Sequence, residues 1–259
     1  MPVLDYLLQI ARDRGAGFLV LIDPDEQPRQ RLVDCAQQAQ EGGADAVMIG
    51  GSGVLSARME EVAHDIKRQI TIPLIIFPGG ANQLCRFADA VLFTSLLTGR
   101  NPEYLIGEQV KGAPLVKEYG LEAIPTAYLL IESGARTSVE SYSHTHPIPR
   151  HETEFLKAHA LAAQYLGMKM VYLEAGSGAV YTVPEEMIVA VKETVSLPII
   201  CGGGIRHPEM AARKVTAGAQ FIVIGNRFEE NNHRSLFAEF ADAIHQGSSH
   251  LVDKTNDRP

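Results

Sequence analysis

Pro198-Ile199-Ile200-Cys201-Gly202-Gly203-Gly204 and, after one amphipathic stretch, Phe221-Ile222-Val223-Ile224-Gly225 decide the fold. Each is a short apolar run without polar alternation. That pattern marks a strand buried on both faces, as in a parallel sheet wrapped by helices. The stretch between them, Pro208 to Thr216, carries helical spacing. Outward from this unit the plan repeats along the chain. Strands are predicted at Phe18 to Ile22, Ala46 to Ile49, Pro73 to Phe77, Ala90 to Phe93, Ala127 to Ile131 and Met170 to Leu173. Helices are predicted at Arg29 to Glu41, Ser56 to Gln69, Pro102 to Glu118, Glu152 to Tyr165, Pro184 to Val195 and, last, Ser235 to Ala243.

About eight buried strands alternating with helices predict a single (β/α)8 TIM barrel rather than a doubly wound sheet. One unit is irregular. Pro78 to Asp89, between strands three and four, holds Gly79-Gly80 and little else. A crossover helix with its loops needs at least about 10–12 residues, so the third helix is predicted short or missing. A missing helix leaves an apolar cleft in the outer wall, long enough for an extended hydrophobic ligand.

Bulk composition narrows the function. The chain has 259 residues, 46% of them hydrophobic, enough for one large core. With 23 Lys and Arg against 31 Asp and Glu, the formal charge is −8. That balance excludes a nucleic-acid binder, which needs a basic footprint. It leaves small anionic ligands open, because a few amides and a metal hold those locally. Cys35, Cys85 and Cys201 are widely spaced and form no CxxC, so they read as small hydrophobes in a reducing compartment. The N-terminus lacks a secretory pattern, and no apolar run reaches membrane-spanning length. A cytoplasmic protein is expected, with peripheral membrane contact left open. A single domain is expected over 1–259, with a polar tail from Gly247.

In such a barrel the chemistry sits at the C-terminal ends of the strands. Those ends carry Asp23, Gly50-Gly51-Ser52, Phe77, Thr94-Ser95, Glu132, Glu174 to Gly178, Gly202 to Gly204, and Gly225-Asn226. Glycine turns after strands seven and eight match the usual barrel phosphate site, since backbone N–H groups without a Cβ approach an anion closely. Tyr172 and Glu174 are two apart on strand six and face the barrel interior together. Glu174 there is either a general base for a substrate hydroxyl or a structural carboxylate. Leu19, Leu21 and Asp23 share a face, so Asp23 is either a Mg²⁺ ligand or a turn former, with Asp25 assigned to the turn. Ser52 offers a weaker oxygen to the same metal. Arg100, Arg206 and Arg227 follow strands four, seven and eight, and Arg100 is kept as the diphosphate contact. His144, His146 and His151 read as a solvated loop rather than a zinc site. No lysine ends a strand, which disfavours Schiff-base chemistry. An isomerase or lyase on the same scaffold would need a second acid or base, for which Glu132 is the candidate. A non-catalytic phosphate sensor would need none.

Together these residues resemble the geranylgeranylglyceryl phosphate synthase family. The resemblance rests on Leu21 to Asp25, Gly50 to Ser52, Pro73 to Pro78, Tyr172-Leu173-Glu174-Ala175-Gly176-Ser177-Gly178, Gly202 to Arg206 and Gly225-Asn226. Leu97 to Pro102 is similar too, except that Thr98 stands where the pattern leads to asparagine. The resemblance implies transfer of a geranylgeranyl group from its diphosphate to the primary hydroxyl of sn-glycerol 1-phosphate, with Mg²⁺. It implies Asp23 and Ser52 as metal ligands. It implies Tyr172, Leu173, Glu174, Ala175, Gly176, Ser177, Gly178, Gly203, Gly204, Gly225 and Asn226 as the glycerol phosphate site. The family barrel lacks a regular third helix. Chain length and the loop from Ser133 to Arg150 resemble its longer archaeal-type branch, with bacterial members, rather than the heptaprenyl branch. That branch implies a homo-oligomer, a dimer or a hexamer built from dimers.

Overall fold

The computed structural model describes residues 1–25, 27–51, 56–225 and 234–247. Ser52 and Asn226, together with Arg227 and the tail beyond Gly247, lie outside the described residues. Eight parallel strands form one closed barrel. They are β1 (Gly17–Ile22), β2 (Ala46–Ile49), β3 (Leu74–Ile76), β4 (Ala90–Leu96), β5 (Glu122–Leu130), β6 (Met170–Glu174), β7 (Ile199–Gly202) and β8 (Phe221–Ile224). Closure is made by β1 against β8, with Gly17 opposite Phe221 and Val20 opposite Ile224.

Alternation along each strand makes two cores. Leu19, Met48, Ile75, Leu92, Ile124, Tyr128, Met170, Tyr172, Ile200, Phe221 and Val223 fill the interior. Phe18, Val20, Val47, Leu74, Val91, Leu129, Val171, Ile199, Cys201 and Ile222 face the helices. Strands with both faces covered need apolar side chains at every position, which is why the runs are continuous.

The helical layer comprises α2 (Arg29–Glu41), α3 (Ser56–Gln69), α4 (Glu108–Tyr119), α6 (Thr153–Tyr165), α7 (Glu185–Thr194), α8 (Pro208–Thr216) and α9 (Arg234–Gln246). Two helices were not foreseen. α1 (Val3–Arg14) lies before the barrel, and its Val3 and Leu7 join the interior core, so it plugs the N-terminal end. Its first amides are capped by Glu122, which accepts from Leu4 N at 3.0 Å. The short α5 (Ser138–Ser143) sits in the β5–α6 loop, where Thr137 and Glu140 form a capping box.

Between β3 and β4 there is one 3₁₀ turn, Ala81–Gln83, in place of a helix. The crossover is too short for more. A further irregularity follows β4: a π turn, Glu103–Gly107, leads into α4. β5 begins at Glu122, well before the predicted Ala127, because Pro125 continues the strand opposite Phe93 rather than ending it. No helix among the described residues is long and apolar enough to cross a membrane.

Candidate active site

A cavity of about 740 Å³ opens at the C-terminal ends of the strands. One end is polar. There the loop after β6, Gly176-Ser177-Gly178, faces the loop after β7, Gly203-Gly204, with Gly225 beside them. Gly203 and Gly204 have φ of 85° and 71°, a left-handed pair that other residues adopt only with strain. A Cβ at Gly203 would overlap the Glu174 carboxylate. Among the described residues, the N–H groups of Ser177, Gly178, Gly203 and Gly204 have no protein acceptor. Four donors converging on one opening make an anion cradle.

Glu174 lies behind this cradle, buried at the end of β6. Its Oε1 accepts from Gly176 N at 2.6 Å. Burial pushes its pKa above the ordinary carboxylate value, opposed by the hydrogen bonds from Gly176 and its neighbours. A carboxylate so raised holds a proton more readily than a solvated one, as a general base requires. The hydroxyl of Tyr172 lies beside it, close enough to feel its charge but without a well-aligned hydrogen bond. That hydroxyl is fully buried and has no hydrogen-bond partner among the described residues. A buried orphan hydroxyl costs about 1–3 kcal/mol, and a ligand oxygen would satisfy it. Burial and the Glu174 charge push the Tyr172 phenol well above its usual value, so it stays protonated and donates. The rings of Phe77, Tyr128 and Tyr172 stack into one cluster with centroids 5.1–5.8 Å apart.

Asp23, just past β1, points to the same cavity. Its carboxylate packs against Gly51 where any Cβ would collide, and its Oδ1 accepts from Asp25 N at 2.9 Å. The turn and the rim position therefore coexist in one residue. Asp25 also lines the cavity, with Arg58 at 3.7 Å. Among the described residues no group of three or more His, Cys, Asp or Glu side chains converges as a metal site. One or two hard carboxylates at a rim suit Mg²⁺, which takes its remaining ligands from water and substrate phosphate, and do not suit zinc.

The other end of the cavity is apolar and runs through the gap left by the missing helix. Pro78, Ala81 and Leu84 form one wall, Tyr104 and Gly112 the other, and Val91 and Phe93 lie between. Glu108 bridges the walls by accepting from Ala81 N at 2.6 Å. Gly112 is the last α4 residue in the lining. Val116, one turn on, is buried in the outer core. Phe77 and Tyr104 line the cavity, whereas Tyr119 at the end of α4 stacks under Arg86 at 5.0 Å.

Several expectations on peripheral residues change. Arg100 is exposed and outside the cavity lining; its Nη1 donates to Gly99 O at 2.8 Å and Leu97 O at 3.2 Å, which closes its own turn. Arg206, set aside on sequence, lines the cavity. Thr98 accepts from Leu130 N at 3.3 Å and so ties β5 to the turn after β4. Glu132 is exposed and turned to Arg150, outside the cavity, which removes it as the second acid or base of an isomerase. Of the loop histidines, His144 ends α5 with φ 53°. Cys85 and Cys201 are buried, while Cys35 is only half-buried.

Two supporting residues escaped the sequence reading. Gln83, buried on the 3₁₀ turn, donates to Gly51 O at 2.5 Å and accepts from Gly79 N at 2.8 Å. It holds the β2 loop that backs Asp23. Lys214, buried on α8, donates to Val183 O at 2.5 Å and pairs with Glu185 at 3.0 Å, so it fixes the far end of the β6 loop. A charged residue on the apolar face of α8 was the available signal for Lys214.

The comparisons with known proteins agree on one family. The model of the PcrB family matches residues 8–244. The geranylgeranylglyceryl phosphate synthase of Thermofilum pendens is 42% identical over 95% of this chain and 96% of its own. That of Chitinophaga pinensis is 44% identical over 88% and 90%. The crystal structure of (S)-3-O-geranylgeranylglyceryl phosphate synthase from Thermoplasma acidophilum, in complex with substrate sn-glycerol-1-phosphate, superimposes with a TM-score of 0.90. It is 38% identical and covers 95% of this chain and 99% of that one.

Proposed function

This chain belongs to the PcrB family, and from that premise we propose that it joins a geranylgeranyl group from its diphosphate to the primary hydroxyl of sn-glycerol 1-phosphate. The reading rests on one arrangement: a buried carboxylate of raised pKa and an unpartnered tyrosine hydroxyl facing four free amides across one cavity, with an apolar cleft leading away. The product is a phosphate-bearing ether lipid, and both halves of such a molecule have a place there.

The amides of Ser177, Gly178, Gly203 and Gly204 hold the phosphate. That fixes the glycerol so its primary hydroxyl lies at Tyr172 and Glu174. Holding two reactants in register turns a bimolecular encounter into a positioned one. The prenyl chain lies along Pro78, Ala81, Leu84 and Gly112, which places its diphosphate at the mouth near Asp23. The C–O bond between the allylic carbon and the diphosphate breaks, and the bonding pair leaves with the diphosphate. The glycerol oxygen forms the new ether bond to that carbon as Glu174 takes its proton. Tyr172 donates to the same oxygen before attack and keeps it oriented. The cluster of Phe77, Tyr128 and Tyr172 offers electron-rich ring faces to a carbon that becomes positive, and excludes water from it.

Asp23 is the residue that holds Mg²⁺ in this reading, with Ser52 the second oxygen implied by the family pattern. When bound, the ion neutralises charge on the departing diphosphate.

The test is incubation with radiolabelled geranylgeranyl diphosphate, sn-glycerol 1-phosphate and Mg²⁺. Label is expected in an acid-stable, solvent-extractable phosphate, and chelation is expected to stop its formation. Absence of labelled product with donors of every chain length would reject the reading. Product formation unchanged by chelation would reject the metal alone.

A further inference from the structure

The charged side chains lining the cavity are unbalanced. Asp23, Asp25, Glu108 and Glu174 are acidic, and among the described residues Arg206 alone is basic. Lys111 at 2.8 Å from Glu108 and Arg58 at 3.7 Å from Asp25 offset two of these charges from outside the lining. Within it, among the described residues, only Arg206 can meet a phosphate dianion with a full charge, because backbone amides carry only partial charge. Arg206 follows the glycine triplet by two residues. Its Nη2 donates to Ala179 O at 2.8 Å. Ala179 is where the two phosphate loops touch, since a Cβ at Gly204 would meet Ala179 O and Cβ at 3.2 Å. One edge of the guanidinium therefore ties the β6 loop to the β7 loop. A guanidinium has five N–H donors in a planar fork, more than this one contact uses.

We propose that Arg206 is the side chain that recognises the substrate phosphate, supplying the full positive charge that the amide cradle lacks while bracing its two loops at Ala179. This rests on the assignment of glycerol phosphate to that cradle. The role is one of positioning and binding, with no part in the proton transfer. Arg206 is exposed at the mouth, so its contribution is screened by salt.

The test is titration calorimetry of the full chain with sn-glycerol 1-phosphate and, separately, with glycerol. Three variants are needed: Arg206→Ala, Arg206→Lys and Arg206→Gln. Glutamine keeps a donor for the Ala179 carbonyl and loses the charge, which separates bracing from recognition. Glycerol phosphate is expected to bind about tenfold more weakly to the alanine and glutamine variants, with lysine intermediate, as loss of a charge-assisted contact predicts. The difference is expected to shrink with added salt. Steady-state kinetics should show the loss in the KM for glycerol phosphate, with kcat and the KM for prenyl diphosphate within about threefold. Glycerol phosphate affinity within twofold of wild type in the glutamine variant would overturn the role of Arg206. So would an equal loss for glycerol and glycerol phosphate. Failure of the wild-type protein to bind glycerol phosphate would overturn both this role and the assignment of the cradle.

Discussion

Glu174 carries opposing demands at the scale of the residue. Its burial raises the pKa and costs stability whenever the group is charged. Because the folded value lies above the unfolded one, stability falls as pH rises from about 4.3, the ordinary glutamate value, through the raised folded value. Glu174→Gln removes that penalty and keeps an oxygen for Gly176 N. The variant is expected to melt higher than wild type at neutral pH and to lose the advantage below about pH 4. Its kcat is expected to fall by roughly 10²–10⁴. Melting curves at two pH values and a turnover assay check both, and a variant that is less stable at neutral pH yet fully active would contradict the account. In wild type, the acid limb of the rate profile is expected above the ordinary carboxylate range, because the base must be ionised to act. At Asp23, replacement by asparagine keeps an acceptor for Asp25 N and removes the charge. The Mg²⁺ concentration for half-maximal rate is expected to rise, and an unchanged titration would count against Asp23 as the ligand.

At the scale of the element, α4 and the helix-free crossover decide what fits the apolar end. Gly112 sits inside a helix, where glycine costs about 1 kcal/mol against alanine, and it packs directly on Leu84, where a Cβ would come to 3.0 Å. A larger side chain there would push Leu84 into the cleft. Gly112→Leu is expected to lower the kcat/KM ratio of geranylgeranyl to farnesyl diphosphate by at least about tenfold, since the lost space lies at the far end of the chain. A ratio unchanged by the substitution would place that end elsewhere. α8 contributes through Lys214. Lys214→Met leaves the Val183 carbonyl unpaired, a loss of about 1–3 kcal/mol, and calorimetry should show a melting temperature lower by several degrees. Little of that loss belongs to the pair with Glu185, whose side chain is 38% exposed. An unshifted melting temperature would show that water takes over the contact.

Across the whole molecule, the barrel and its polar mouth were legible because each rests on a local pattern. Continuous apolar runs gave all eight strands, and β8 and the helices α2, α3 and α8 fall where the spacing put them. The missing crossover helix was legible from length alone. The α1 plug was not, although Leu4, Leu7, Leu8 and Ala11 carry helical spacing, because a segment before the first strand has no assigned place in the alternation. Tyr172, Glu174 and the glycine turns were legible from strand parity and from the absence of side chains. Of Arg100, kept on sequence, and Arg206, set aside, only Arg206 lines the cavity, since position after a strand does not say which way a long side chain turns, and the contacts to Gly99 and Ala179 decide it. Gln83 and Lys214 act by contacts between loops distant in sequence, which no local pattern records. The most direct measurement is a crystal structure with sn-glycerol 1-phosphate bound. The phosphate oxygens are predicted within about 2.7–3.2 Å of the Ser177, Gly178, Gly203 and Gly204 nitrogens, with the primary hydroxyl on Glu174 and Tyr172. A phosphate bound away from these amides, or a hydroxyl turned from Glu174, would contradict it.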